Sequence, residues 1–279
     1  MGSGNHFLEI QRVTEIYEPE IAKAFNLEKN LITVMIHTGS RGLGHQVCTD
    51  YVRIMNAKIP EWGIKLPDRE LACAPMNTLE GRNYFAAMCA AANYAWANRQ
   101  VIMHLVRQSW QRILKGKFKD TNLKLLYDVA HNIAKIEEHF GRKLIVHRKG
   151  ATRAFPAGQS ELIGIYQKVG QPVLIPGSMG TASYVLVGTE KALAETFGST
   201  CHGAGRVQSR SAAKRSLRGI DVARGLAEKG ITVKAGSMSS LAEEASEAYK
   251  DVAQVVEVTH KAGISHKVAK ARPIGVVKG

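Results

Sequence analysis

Only 6% of the 279 residues are aromatic, so a core here must rest on aliphatic and alanine packing. The four cysteines, Cys48, Cys73, Cys89 and Cys201, form no C-x-x-C pair. That argues against a structural zinc site or a disulfide framework and fits a reducing compartment. No apolar run is long enough for a transmembrane helix, and the N-terminus lacks a charged-then-apolar signal pattern. A soluble, cytoplasmic protein is therefore expected. There is no G-x-x-x-x-G-K-[ST] phosphate loop, no G-x-G-x-x-G between a strand and a helix, and no H-E-x-x-H. Internal repeats and low-complexity segments are also lacking.

Charge is abundant and mainly of one sign. Lys and Arg number 38 against 24 Asp and Glu, for a net charge of +14. Such a balance suits nucleic acid, a nucleotide or an acidic membrane surface, although a basic but otherwise ordinary enzyme has it too. With 45% hydrophobic residues the chain can bury one large core or two modest ones.

Residues 5–13 alternate as a strand, and residues 31–36 read as a second, buried strand ending at His37-Thr38-Gly39-Ser40. A helix is expected over residues 43–58, a proline-bearing loop over 60–77 and the clearest helix over 78–115. In that long helix Phe85, Met88, Ala92, Trp96, Ile102, Val106, Trp110 and Ile113 form an apolar stripe expected to face a core. The second half offers short strands at 144–146, 173–175, 184–187, 231–234 and 274–277, and an amphipathic helix over 251–261. Strands and helices do not alternate regularly, so the expected class is α+β rather than a doubly wound sheet.

Five segments couple glycine to polar or ionisable residues: GSGNH (Gly2–His6), HTGSRGLGH (His37–His45), HRKGATRAFPAG (His147–Gly158), PGSMGTASY (Pro176–Tyr184) and CHGAGR (Cys201–Arg206). Glycine lets backbone N–H groups approach an anion closely. His6, His37, His147 and His202 each sit beside such a turn or a strand end, where catalytic groups concentrate. An imidazole binds transition metals through a neutral nitrogen, or acts as a nucleophile. His104 and His131 read as satisfied core or surface residues, and His45, His139, His260 and His266 as exposed ones. Arg148, Lys149, Arg153 and Arg206 are candidates for RNA or phosphate contacts, since cationic side chains, guanidinium groups above all, bind phosphate.

In this order, the five segments resemble the RtcB family of tRNA-splicing RNA ligases. The resemblance runs from Gly2 to Lys278-Gly279 and implies one RtcB-like catalytic domain over 1–279, with mixed sheets packed by helices around a deep metal- and nucleotide-binding cleft. The implied activity joins RNA 2′,3′-cyclic phosphate or 3′-phosphate ends to 5′-hydroxyl ends, in tRNA splicing or RNA repair, with GTP and manganese. It makes His202 the nucleophile that takes GMP, and His6, His37 and His147 ligands for two manganese ions. Asn5, Glu9, Ser178, Ser183, Gly203, Ala204, Gly205, Tyr249 and Lys278 would lie around the guanosine nucleotide, with Glu9 accepting from the guanine edge. The family's D-x-G-C-G motif, which precedes GSGNH and supplies a bridging thiolate and a carboxylate, does not occur in this sequence. The chain is therefore expected to be the larger, C-terminal portion, and to need an N-terminal segment in cis or trans. An archease-type activator is a further implied partner. Two other readings stay open: a non-catalytic RNA-binding module, and a phosphodiesterase whose histidines help activate water.

Overall fold

The computed structural model describes Gly2 and residues 4–279, for Arg69 the main chain only. Ser3 of the GSGNH segment lies outside the described residues. In chain order the elements are β1 (Phe7–Ile16), α1 (Pro19–Ala24), β2 (Ile32–His37), α2 (Arg41–Lys58), α3 (Leu79–Leu114), β3 (Asn132–His139), β4 (Arg142–Lys149), β5 (Ala151–Arg153), α4 (Ile165–Val169) and β6 (Pro172–Ile175). There follow β7 (Ser183–Gly188), α5 (Glu190–Thr196), β8 (Ser199–Cys201), α6 (Arg210–Ser216), α7 (Gly219–Glu228), β9 (Thr232–Ala235), α8 (Met238–Glu243), α9 (Val252–Lys261) and β10 (Ser265–Lys278). This is the expected α+β class. The chain forms two compact units, Met1–His37 with Leu123–Gly279, and Thr38–Asn122. No helix of the described residues is long and apolar enough to cross a membrane.

The first unit is organised by its last strand. β10 pairs with β1 along one side; on the other it pairs antiparallel with β7 through its first half and parallel with β9 through its second. The sheet order is β2-β1-β10-β7-β6, with β9 joined to β10. Only residues 274–277 of this 14-residue strand are legible as strand in the sequence. Lys267, Lys270 and Arg272 break the apolar alternation, and Pro273 has no N–H to give the ladder. The register shifts there, with Ile10 opposite Gly275 and Gln11 opposite Pro273, so a bulge absorbs the missing donor. Lys267 and Lys270 are neutralised by Glu257 and Glu15 at 2.6 and 2.8 Å.

Val173, Ile175, Leu186, Val252 and Val256 form one buried cluster, and Val13, Phe25, Val187 and Val268 belong to another. Each such aliphatic side chain stabilises the fold by ~1.5–3 kcal/mol. The α9 helix forms as its amphipathic pattern requires: Asp251 caps it by accepting from the Ala253 N–H, and Val252 and Val256 face inward. On β1 the inward face is Phe7, Glu9, Gln11 and Val13, so two polar residues occupy core positions.

The second unit is a helical hairpin. Thr78 caps α3 by accepting from the Gly81 N–H at 3.1 Å, as its position before the helix predicts. Gly44 of α2 lies against Ala91 of α3, and the Tyr51 and Tyr84 rings meet at 5.3 Å, tilted by 46°. The expected inward face forms only in part: Phe85, Met88, Ala92, Trp96, Ile102, Val106 and Trp110 are half-buried, while Ile113 at the end of the stripe is 59% exposed. Two packed helices offer too little facing surface to bury the stripe of a 36-residue helix completely.

Candidate functional site

Four histidines stand at strand ends of the first unit. His6 immediately precedes β1, His37 is the last residue of β2, His131 immediately precedes β3 and His202 immediately follows β8. Pairing of Phe7 with His37 brings the first two together, with ring centroids 6.1 Å apart. Nε2 of His37 lies 3.0 Å from Nε2 of His131. The His131 ring in turn lies 4.5 Å from the His202 ring, tilted by 34°. Burial pushes the His37 pKa down to about 3, helped by the neighbouring His131, His6 and His202. Burial also lowers that of His202, with Lys149 adding to the effect and the Gly150 main chain opposing it. Both rings are therefore neutral near neutral pH, the state with a nitrogen lone pair for a metal or an electrophile. Nδ1 of His202 is buried and makes no well-formed hydrogen bond among the described residues.

His147 does not join them. It lies mid-strand on β4, exposed, paired with Ala134, on the opposite strand face from the buried Val146 and Arg148. Sequence reading placed the third imidazole there and set His131 aside. The missing signal was β3, whose AKIEEH pattern hides a strand start right after His131. Lys149 does stay beside the site, since it and Gly150 flank the His202 ring; Gly150 turns the chain there at φ 71°.

A second polar network adjoins the imidazoles. Glu9 is fully buried; its Oε2 accepts from Gln11 at 2.8 Å, while its Oε1 has no donor among the described residues. Burial raises its pKa to about 7, against the lowering by Gln11 and Lys278. Gln11 also donates to Ser183 Oγ at 3.0 Å, and Ser183 accepts from the Gly177 N–H at 3.0 Å. Ser178 bonds Thr181 and Ser246 at 2.9 Å each. Lys278 donates to the carbonyls of Gly4 and His6, at 2.5 and 3.3 Å, and burial lowers its pKa to about 8. Tyr249 donates to Glu244 and accepts from Arg206 at 3.0 Å. Arg210 reaches Glu244 at 3.0 Å and lies against Gly4. Gln11, Glu244 and Arg210 carried no motif of their own and were not foreseen. Asn5, in the turn before His6, and Gly203, Ala204 and Gly205, in the turn after His202, flank the imidazoles along the chain.

Three of the four cations expected to meet phosphate are committed elsewhere. Arg148 is 2% exposed and binds Glu137 with both guanidinium ends, at 2.6 and 2.9 Å, as well as Ser199 Oγ and the Phe197 carbonyl. Burial opposes the Glu137 charge, but Arg148 and His139 hold its carboxyl below the usual range. His139, expected exposed, is part of that buried triad at 3.0 Å from Glu137. Arg153 is held by Gln171 and Glu161, and Arg206 by Gln208, Glu243 and Glu244 as well as Tyr249. Arg148 in particular is a structural residue, because a buried strand position leaves it no solvent side.

The imidazole pair fits a divalent ion in part. Two nitrogens each ~2.1 Å from one metal at a right angle sit ~3 Å apart, as the His37 and His131 nitrogens do. Among the described residues, however, no group of three His, Cys, Asp or Glu closes around a common point.

The molecule is thus an α+β protein whose imidazoles gather at strand ends beside a buried carboxylate and amine. It belongs to the RtcB family: the family model described as tRNA-splicing ligase RtcB matches residues 1–279. The whole chain is 59% identical to the tRNA-splicing ligase RtcB of Archaeoglobus fulgidus and covers 59% of that protein. It is 57% identical to that of Thermococcus kodakarensis, covering 59% of it, and 56% identical to that of Methanocaldococcus jannaschii, covering 29%. The chain therefore spans little more than half the length of these relatives, or less.

Proposed function

We propose that this chain carries the chemistry of a GTP-dependent RNA ligase, joining 2′,3′-cyclic phosphate or 3′-phosphate ends to 5′-hydroxyl ends. The observation that carries the reading is the neutral His202 ring lying against the His37–His131 pair. An imidazole nitrogen of His202 attacks the α-phosphorus of GTP; an N–P bond forms and pyrophosphate leaves. A 2′,3′-cyclic end is first opened by water, which breaks the P–O2′ bond, returns a proton to O2′ and leaves a 3′-phosphate; an oxygen of the 3′-phosphate then takes the GMP, releasing the imidazole. Finally the 5′-hydroxyl attacks the activated RNA phosphorus, loses its proton and expels GMP. Capping with GMP supplies the leaving group that a phosphate monoester lacks.

His6, His37 and His131 would hold manganese, which when bound neutralises charge on phosphate oxygens. A ligating imidazole brings no charge, so two dications would need anionic ligands besides these. A segment supplied in cis or trans is the proposed source, and an archease-type protein a proposed activator. Glu9, with its open Oε1, is the proposed reader of guanine, with Ser178, Ser183, Tyr249 and Lys278 proposed around the nucleotide and the cytoplasm as the setting.

The test is incubation with manganese and labelled GTP, followed by a search for acid-labile label on the protein, alone and with a relative's remaining segment. Label is expected on the parent and not on His202→Ala. Equal labelling of both would refute the assignment of His202. RNA binding without any label under either condition would favour the non-catalytic module.

A further inference from the structure

We propose that the open groove at the C-terminal end of α3 is a separate binding surface for the phosphodiester backbone of single-stranded RNA. The inference rests on the proposed RNA substrate only for the identity of the polyanion. From Gly81 to Lys119 the chain has no aspartate or glutamate, whereas Arg82, Arg99, Arg107, Arg112, Lys115, Lys117 and Lys119 all fall in that span. After the helix, Gly116 takes φ 77° and the chain returns beside the last turns. Between them lies a cavity of about 770 Å³ lined by Leu105, Gln108, Ser109, Arg112, Lys115 and Phe118. That volume is within the ~300–1,000 Å³ of small-ligand pockets.

Among the described residues, the cations in and beside this groove lack the carboxylate partners that several cations elsewhere have. Arg53 and Lys58 of the same unit pair with Asp50 and Glu61, and in the other unit Arg210, Lys214, Lys267 and Lys270 each meet a carboxylate. Arg112, Lys115, Lys117 and Lys119 are exposed and form no ion pair among the described residues. The helix dipole accounts for cations in the last turn, Arg112 and Lys115, but not for Lys117 and Lys119 beyond it. Phe118, 65% exposed, stands among them as an apolar ring in water. Basic side chains with an open aromatic ring are the pattern that tracks a strand backbone and stacks a base. Gln108 and Ser109 add neutral donors within the concavity. A flat, anionic bilayer would meet a convex basic face more readily than a groove.

The experiment is fluorescence anisotropy of a short, labelled, single-stranded RNA with a 3′-phosphate, titrated with the full chain between about 50 and 200 mM salt. Replacing Arg112, Lys115, Lys117 and Lys119 together by Gln is expected to weaken binding at least tenfold. The plot of log K against log salt should become shallower by ~3, at roughly 0.7 per phosphate contact. Phe118→Ala should weaken binding several-fold and leave that slope unchanged. The milder Lys117→Gln/Lys119→Gln pair lies outside the helix and should give about half the slope change even if the fourfold variant misfolds. RNA binding by the parent with unaltered affinity and slope in the variants overturns this groove and leaves the proposed function standing. No RNA binding by the parent overturns both. Binding by the parent to phosphatidylserine vesicles with no RNA binding overturns the groove in favour of a membrane.

Discussion

Nε2 of His37 and Nε2 of His131 face each other at 3.0 Å, so the end of β2 and the start of β3 present their imidazoles to one point. Imidazoles bind divalent cations through neutral nitrogens, and two at this spacing are proposed to hold one together. His131→Ala should lower manganese affinity by at least the roughly ten- to hundredfold that loss of a mere outer-shell partner costs. His147→Ala should change it little. Manganese binding followed by titration calorimetry decides; a loss on His147→Ala with none on His131→Ala reverses the assignment.

Glu9 bears on base choice. A buried carboxylate with an open oxygen favours a base that brings two adjacent N–H donors, and guanine presents N1–H and N2–H side by side where adenine pairs one amine with an acceptor nitrogen. Glu9→Ala should therefore cut the preference for GTP over ATP in labelling by at least about tenfold. A competition assay showing undiminished preference would place the base elsewhere.

The same carboxyl makes stability depend on pH. Its pKa rises from 4.5 to about 7 on folding, chiefly through burial, with Gln11 and Lys278 pulling the other way and the uncharged Met35 opposite it on β2. Below pH 4.5 both states hold the proton, and between 4.5 and 7 the unfolded chain has lost it while the folded chain keeps it. The folded state therefore loses stability as pH climbs through that window, by on the order of 3 kcal/mol in all. Glu9→Gln carries no such proton. Urea unfolding at about pH 5 and pH 8 should show the parent losing that much relative to the variant; parallel behaviour would mean Glu9 ionises normally.

Arg148→Ala should destabilise the chain by ~3–5 kcal/mol, because it leaves the Glu137 carboxylate buried without its guanidinium. RNA affinity of the protein that remains folded should stay close to the parent's. Denaturant midpoints and anisotropy on one preparation separate the two effects; an unchanged midpoint with lost affinity would return Arg148 to the phosphate-contacting role.

Much of the architecture is legible in residue pattern. Thr78 marks the start of α3, Asp251 starts α9 and Gly-rich turns separate the short strands, since caps and turns are written in a few neighbouring residues. The site is only partly legible. On β1 the alternation invites Leu8 and Ile10 inward, yet Glu9 and Gln11 occupy that face, since a polar network on the sheet overrides the hydrophobic pattern. His131 escaped for another reason: its position matters only once β3 exists, and Lys135, Glu137 and Glu138 disguise that strand. Arg148 looked like a phosphate ligand because motif context cannot tell which strand face points inward.

The pairing of β1 with β10 sets the order in which the molecule can be assembled on a ribosome. Phe7 and Lys278 are partners in the sheet, and Lys278 also fastens the Gly4 and His6 carbonyls. Within residues 1–279, β1 thus waits for β10, with the edge they share left unpaired until residues 265–278 are made. The helical hairpin is complete long before, from neighbours close in sequence. A nascent chain of this protein therefore carries a formed hairpin beside an unfinished sheet until residues 265–278 emerge.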